Sequence, residues 1–156
     1  MDHNWRHLPA PARPIAAAAS AAVTAAQAHD AGALDAATAE LATLDAAQTG
    51  LILGTAIRLL LERGHPDGLD SDAVREVLAG CVRSAAAWHP GTDPQVVLYL
   101  LAAALGVLDE DETAAPKPDV LARHAALLLA DQLGARPPRE ILTAALTEIE
   151  HTQLND

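Results

Sequence analysis

An all-α fold, a single-domain bundle of five to six helices behind an extended N-terminal arm, follows from three features of this 156-residue chain. Roughly a quarter of the residues are alanine and none is phenylalanine. Alanine loses no side-chain entropy in a helix, so it is the least costly residue to place there. Apolar residues recur three and four apart in several segments, the period of one helix face. Proline, glycine and aspartate punctuate the gaps between those segments, where helices start and stop. With 51% hydrophobic and 20% charged residues, the chain has enough apolar surface to fold rather than stay disordered.

Residues 1–14 read as an extended, proline-rich arm. Prolines at 9, 11 and 14 are too dense for a helix interior and favour a polyproline conformation. Trp5 sits on this arm between basic residues. The helical domain is expected over 15–152, with 153–156 as a tail. A first helix runs from Ile15 to about His29 and is ended by Gly32. A second starts near Leu34, with Ala37, Leu41 and Leu44 on its face, and can continue through Gly50 to Arg63 as one long helix. Gly50 and Gly54, four apart, would let another backbone approach. Arg58 and Glu62 form an i, i+4 pair facing water.

His65-Pro66-Asp67-Gly68 is a turn. Asp70 or Ser71 then caps a helix with a clean stripe: Val74, Val77, Leu78, Cys81, Val82, Ala85 and Trp88. Cys81 within that stripe reads as a buried structural thiol. Asp93-Pro94 is a strong helix start, and the following 94–108 segment is apolar on nearly every face. Such a helix is either central to the domain or a subunit interface. Residues 109–118 form an acidic internal linker. Asp119 is expected to cap a helix that buries Val120, Leu121, His124, Leu127 and Leu128 and stops at Gly134. Pro137 and Pro138 open the last helix, with Ile141, Leu142, Ala145, Leu146 and Ile149 inward. Ile57, Leu60, Leu98, Leu101 and Leu105 complete the expected core.

The formal net charge is −11. A surface this acidic repels phosphate backbones and anionic membranes, so no direct nucleic-acid or membrane partner is expected. A basic protein partner fits better. One cysteine excludes an internal disulfide. The bias toward Ala, Gly, Pro, Arg, Asp and Leu resembles that of a GC-rich bacterial genome. The stretch from Ile15 to Ala28 ends in a small-x-small pattern. It reads as an amphipathic helix rather than a secretion signal, because its apolar part lacks leucine and its leader carries little net positive charge. With no apolar run of about 20 residues for a span, a cytoplasmic protein is expected.

Chemistry has few handles. Glu62/His65 and Glu148/His151 share the Glu-x-x-His spacing that puts a carboxylate and an imidazole on one helical face, as in di-iron bundles. Glu40 and Glu76 would be the extra ligands. Gly64 and Pro66 bracket His65, which places the first pair at a helix end. No motif implies a cofactor. Arg83, five intervening residues and His89 match the Arg-x(4–6)-His spacing of the small helical ribonucleases called HEPN domains, and the two residues resemble that family's pair. The resemblance implies RNA cleavage at a dimer cleft by Arg83 and His89. Serine at 84 and the Pro90-Gly91 that follows His89 depart from the family's pattern.

Three functions are therefore carried forward. The first is a non-catalytic, self-associating protein–protein interaction or regulatory module, expected as a homodimer and anchored by Trp5, Arg6 and Arg13. The second is a small-molecule-binding regulatory bundle with Trp88 and Tyr99 lining its pocket. The third is the HEPN-like ribonuclease. A non-enzymatic role is favoured over an enzymatic one.

Overall fold

The computed structural model describes residues 12–108 and 114–154, and among these it contains helices only. There are seven: α1 (Ala12–Gln27), α2 (Ala31–Ala42), α3 (Ala46–Gly64), α4 (Ser71–Ala86), α5 (Pro94–Ala104), α6 (Pro118–Leu133) and α7 (Arg139–Leu154). The all-α class holds, with more helices than the five to six expected. The extra one arises because the long helix expected over 34–63 is cut. Asp45 takes an N-cap conformation and its carboxylate accepts the amide of Gln48, so α3 starts afresh after the Thr43–Asp45 break. Asp30 does the same for α2 through Ala33.

Other boundaries shift slightly. α1 begins at Ala12, so Arg13 and Pro14 lie in its first turn rather than on an arm. Proline is tolerated there because first-turn amides have no helical acceptor. Residues 1–11, with Trp5 and Arg6, and the first half of the acidic linker, 109–113, lie outside the described residues. Lys117 rather than Asp119 occupies the cap of α6, with no side-chain cap bond; Pro118 opens the helix and Asp119 sits in its first turn. α5 stops at Ala104, where Gly106 takes a positive φ of 75°. Its amide and that of Val107 return to the carbonyls of Ala103 and Ala102, the Schellman arrangement for ending a helix. α7 runs on to Leu154, past the expected end of the domain at 152.

The central helix is α6, which touches α1, α2, α3, α4 and α5. It buries Leu127, Leu128, Leu129 and Leu133 together with three alanines and His124. α7 closes the opposite side against α3 and α1. Of the two readings offered for 94–108, a central helix or a subunit interface, the first does not hold, because α6 is the hub. α5 packs inward through Val96, Val97 and Leu101, while Leu98 is 41% exposed and does not belong to the core. Leu44, Leu78, Val82, Trp88, Leu105 and Ile149 pack on the core half-buried; Leu41, Ile57, Leu60, Val77, Cys81, Leu101, Leu128, Leu142 and Leu146 are buried as expected.

α1 is packed on most sides. Ile15, Ala16, Ala19, Ala22, Val23 and Ala26 are all at most 2% exposed. Alanine side chains keep its radius small, which lets α2 and α6 come close on two flanks.

Candidate functional site

Two hollows lie against α6, and small residues create the larger one. On the α3 wall stand Thr49, Gly50, Leu53 and Gly54; α5 contributes Tyr99, Leu100 and Ala103; α6 contributes Leu121, Ala122 and Ala125. Leu41 and Leu44 close one end. The cavity measures about 260 Å³, and its walls are overwhelmingly apolar. The two glycines do not serve the close backbone approach expected of them. A Cβ built on either would meet nothing within 4 Å, so glycine and alanine face each other across empty space.

One polar group stands in this apolar wall without a partner. Thr49 is 8% exposed and its Oγ1 makes no hydrogen bond. A buried hydroxyl left unbonded costs about 1–3 kcal/mol, and a threonine in a helix can ordinarily bond the carbonyl four residues back. Here the carbonyl of Asp45 is taken by the backbone amide of Thr49 alone. A ligand that bonds the hydroxyl would remove that cost.

The second hollow, about 190 Å³, lies where the last turns of α1, α4 and α6 meet. His29 and Trp88 stack there with ring centroids 5.0 Å apart and planes 12° from parallel. Opposite them, Ser84 Oγ donates to Asp131 Oδ1 at 2.9 Å. Gln27 Nε2 donates to the carbonyl of Gly134 at 3.1 Å, tying the ends of α1 and α6 together. His29 is the only non-glycine with positive φ among the described residues, at 56°. Its amide and that of Asp30 bond the carbonyls of Ala26 and Ala25. This is the same helix ending as at Gly106, with histidine in the position where glycine is preferred.

Trp88 and Tyr99, expected in one pocket, therefore line different ones. α4 leads Trp88 to the polar hollow, and α5 carries Tyr99 to the apolar cavity. Arg13 is exposed in the first turn of α1.

Arg83 is exposed on α4, whereas His89 is 8% exposed just past its end. His89 Nδ1 lies 3.4 Å from the Thr92 hydroxyl, which donates its shorter bond to the His89 carbonyl. The Trp88 and His89 rings meet near-perpendicular, at 75° with centroids 5.6 Å apart. No hydrogen bond joins Arg83 to His89 among the described residues. The glutamates of the two Glu-x-x-His pairs do come together, through a cation: Arg58 bonds both Glu62 and Glu148. His65 Nδ1 is held by the Leu61 carbonyl at 3.0 Å, and His151, Glu40 and Glu76 are exposed. Among the described residues no three His, Cys, Asp or Glu side chains gather as a metal site.

Cys81 is fully buried, and burial together with the nearby Asp131 carboxylate pushes its thiol up to about 12. The thiolate, the reactive form, is thereby suppressed. No helix among the described residues is long and apolar enough to cross a membrane. Comparison with known protein families, curated proteins and solved structures finds no match to this chain.

Proposed function

We propose that this protein is a non-catalytic helical binding module whose apolar cavity takes a small, largely hydrophobic molecule carrying one hydrogen-bonding group. The observation that carries the reading is the unpartnered Thr49 hydroxyl in the wall of a cavity lined by glycine, alanine and leucine. Pockets that bind small molecules combine apolar walls with a few placed polar groups. Retaining glycine at 54, in the interior of α3, also costs the helix about 1 kcal/mol relative to alanine. Nothing in the fold requires that glycine, since a Cβ there has open space around it.

A matched pair of probes, 4-propylphenol and butylbenzene, tests this by thermal shift. Both should raise the melting temperature, and the phenol more. Thr49→Val should remove the difference between them while keeping the shape of the cavity. Gly54→Leu should stabilise the free protein, through helix propensity and filled space, and abolish both responses. Undiminished responses in Gly54→Leu, or none in the wild type, would sink the reading.

A second role, self-association as a homodimer, is favoured by one specific feature. Leu51 and Leu98 are 43% and 41% exposed, and Leu51 borders a shallow groove of Gly50, Gly54, Ala103 and Ala104 between α3 and α5. A groove floored by such small residues admits a second copy's helix closely. Light scattering should show a dimer that Leu51→Glu dissociates. A monomer at high micromolar concentration would remove this role. The acidic surface also suits a basic protein partner.

A further inference from the structure

We propose that the hollow between the ends of α1, α4 and α6 is a second binding site, selective for an organic cation, a guanidinium or ammonium group on a short aliphatic stem. Four observations converge on a positive ligand. The last turns of three helices line this one hollow, Ala26 and Gln27 from α1, Ser84 and Ala85 from α4, and Ala130 and Asp131 from α6. Each helix C-terminus carries a partial negative charge that favours cations within the last turn. Asp131 adds a full carboxylate. Its Oδ1 is held by Ser84, while Oδ2 accepts no hydrogen bond among the described residues and faces α4 at Gly80, whose Cβ would stand 3.7 Å away. Serine at 84 thus fixes the carboxylate's orientation without neutralising it.

The third observation is the aromatic wall. Trp88 presents the ring type that attracts cations most strongly, and His29 stacked at 5.0 Å holds it in place. The fourth is the backbone of His29. A histidine at φ 56° occupies a position where glycine would be free of strain, and strained residues of this kind gather at binding sites. Among the described residues no arginine or lysine lines the hollow. Arg136, two residues past Gly134, turns back to bond the carbonyls of Gln132 and Leu133. That contact shows the rim of α6 accepting a guanidinium, and among the described residues Asp131 is in no ion pair.

The cation can belong to a free small amine or to an arginine or lysine side chain of a partner; the recognition chemistry is the same. The deciding comparison uses n-butylguanidinium and its neutral isostere n-butylurea, followed through the two indole N–H resonances of the full chain at about pH 8. Loss of one resonance in Trp88→Phe assigns the Trp88 signal. Butylguanidinium should shift the Trp88 resonance saturably, and butylurea at least about tenfold more weakly, the scale of a charge-assisted hydrogen bond. Asp131→Asn, which retains an oxygen to accept from Ser84, should weaken butylguanidinium by a similar factor, while the remote Asp67→Asn should change it less than about twofold. A peptide Ac-Ala-Arg-Ala-amide that binds like butylguanidinium assigns the site to a partner's side chain; one that does not assigns it to free amines. Equal binding of the urea and the guanidinium, or no Trp88 shift at about 10 mM ligand, where even a millimolar site is mostly filled, would overturn the proposal. Because the urea comparison is made on the wild type, a destabilised Asp131 variant would not obscure the answer.

Discussion

Leu128→Ala is expected to lower the unfolding free energy by about 3–5 kcal/mol, the upper part of the range for emptying a leucine site. Leu128 is fully buried on α6, and α6 touches five other helices. The cost of a truncated leucine depends on how far its surroundings can collapse into the space. Five helices braced against one another leave little room for that. Urea denaturation of the wild type and the variant measures the difference. A loss below about 1 kcal/mol, typical of half-exposed positions, would mean that α6 is not the hub of the core.

His124→Ala should cost about 2–4 kcal/mol at neutral pH, from lost packing and an orphaned buried amide. The ring is 2% exposed. Its Nε2 accepts the backbone amide of Asp93 at 2.9 Å, and its Nδ1–H donates to the carbonyl of Val120 at 2.8 Å. A neutral imidazole satisfies both bonds; a protonated one would lose the acceptor that holds the cap of α5. Burial holds the ring below the ordinary imidazole range, against the opposing pull of the Val120 carbonyl and the Asp93 charge. The unfolded chain therefore takes up a proton as pH falls below about 6.5 while the native ring does not. This contribution to stability is complete above that pH. It declines on acidification by at most about 1.4 kcal/mol per pH unit and levels off once the native ring also protonates. Urea midpoints measured at about pH 8 and pH 5 should show the gap between wild type and His124→Ala narrowing in acid. A constant gap would mean that the native ring titrates like an unfolded one.

Helix starts were legible where aspartate precedes an apolar stripe after a clear break. Asp70 and Asp93 cap α4 and α5 as their positions suggest. Asp45 was not legible, because Thr43-Leu44-Asp45 contains neither proline nor glycine and the apolar period runs straight across it. Hydropathy also did not single out α6 as the centre. The leucines and valines of 94–108 outweigh the alanines and His124 of α6, yet alanine burial is what permits α6 to touch so many neighbours. The cavity was invisible for a related reason. Its defining residues, Gly50, Gly54, Ala103 and Ala122, are the least informative in the chain, and only the fold sets them opposite one another. Trp88 and Tyr99 stood out as lining residues, but sequence spacing carries no information about which hollow each helix leads to. His29 was masked by Gly32, the more obvious helix stop.

The buried alanines of α1 give this core an unusual direction of mutational sensitivity. In a leucine-rich core the damaging changes are truncations, and natural variation drifts toward smaller side chains. Ala16, Ala19, Ala22 and Ala26 are at most 2% exposed and have only a methyl to lose. A single base change in an alanine codon yields valine, threonine, serine, proline, aspartate, glutamate or glycine. All but glycine add bulk or polarity, and overpacking a filled core costs about 1–3 kcal/mol per insertion. Glycine forfeits about 1 kcal/mol of helix propensity instead. Every first mutational step from these positions is therefore uphill, and α1 should be the segment least free to diverge in any descendant of this chain.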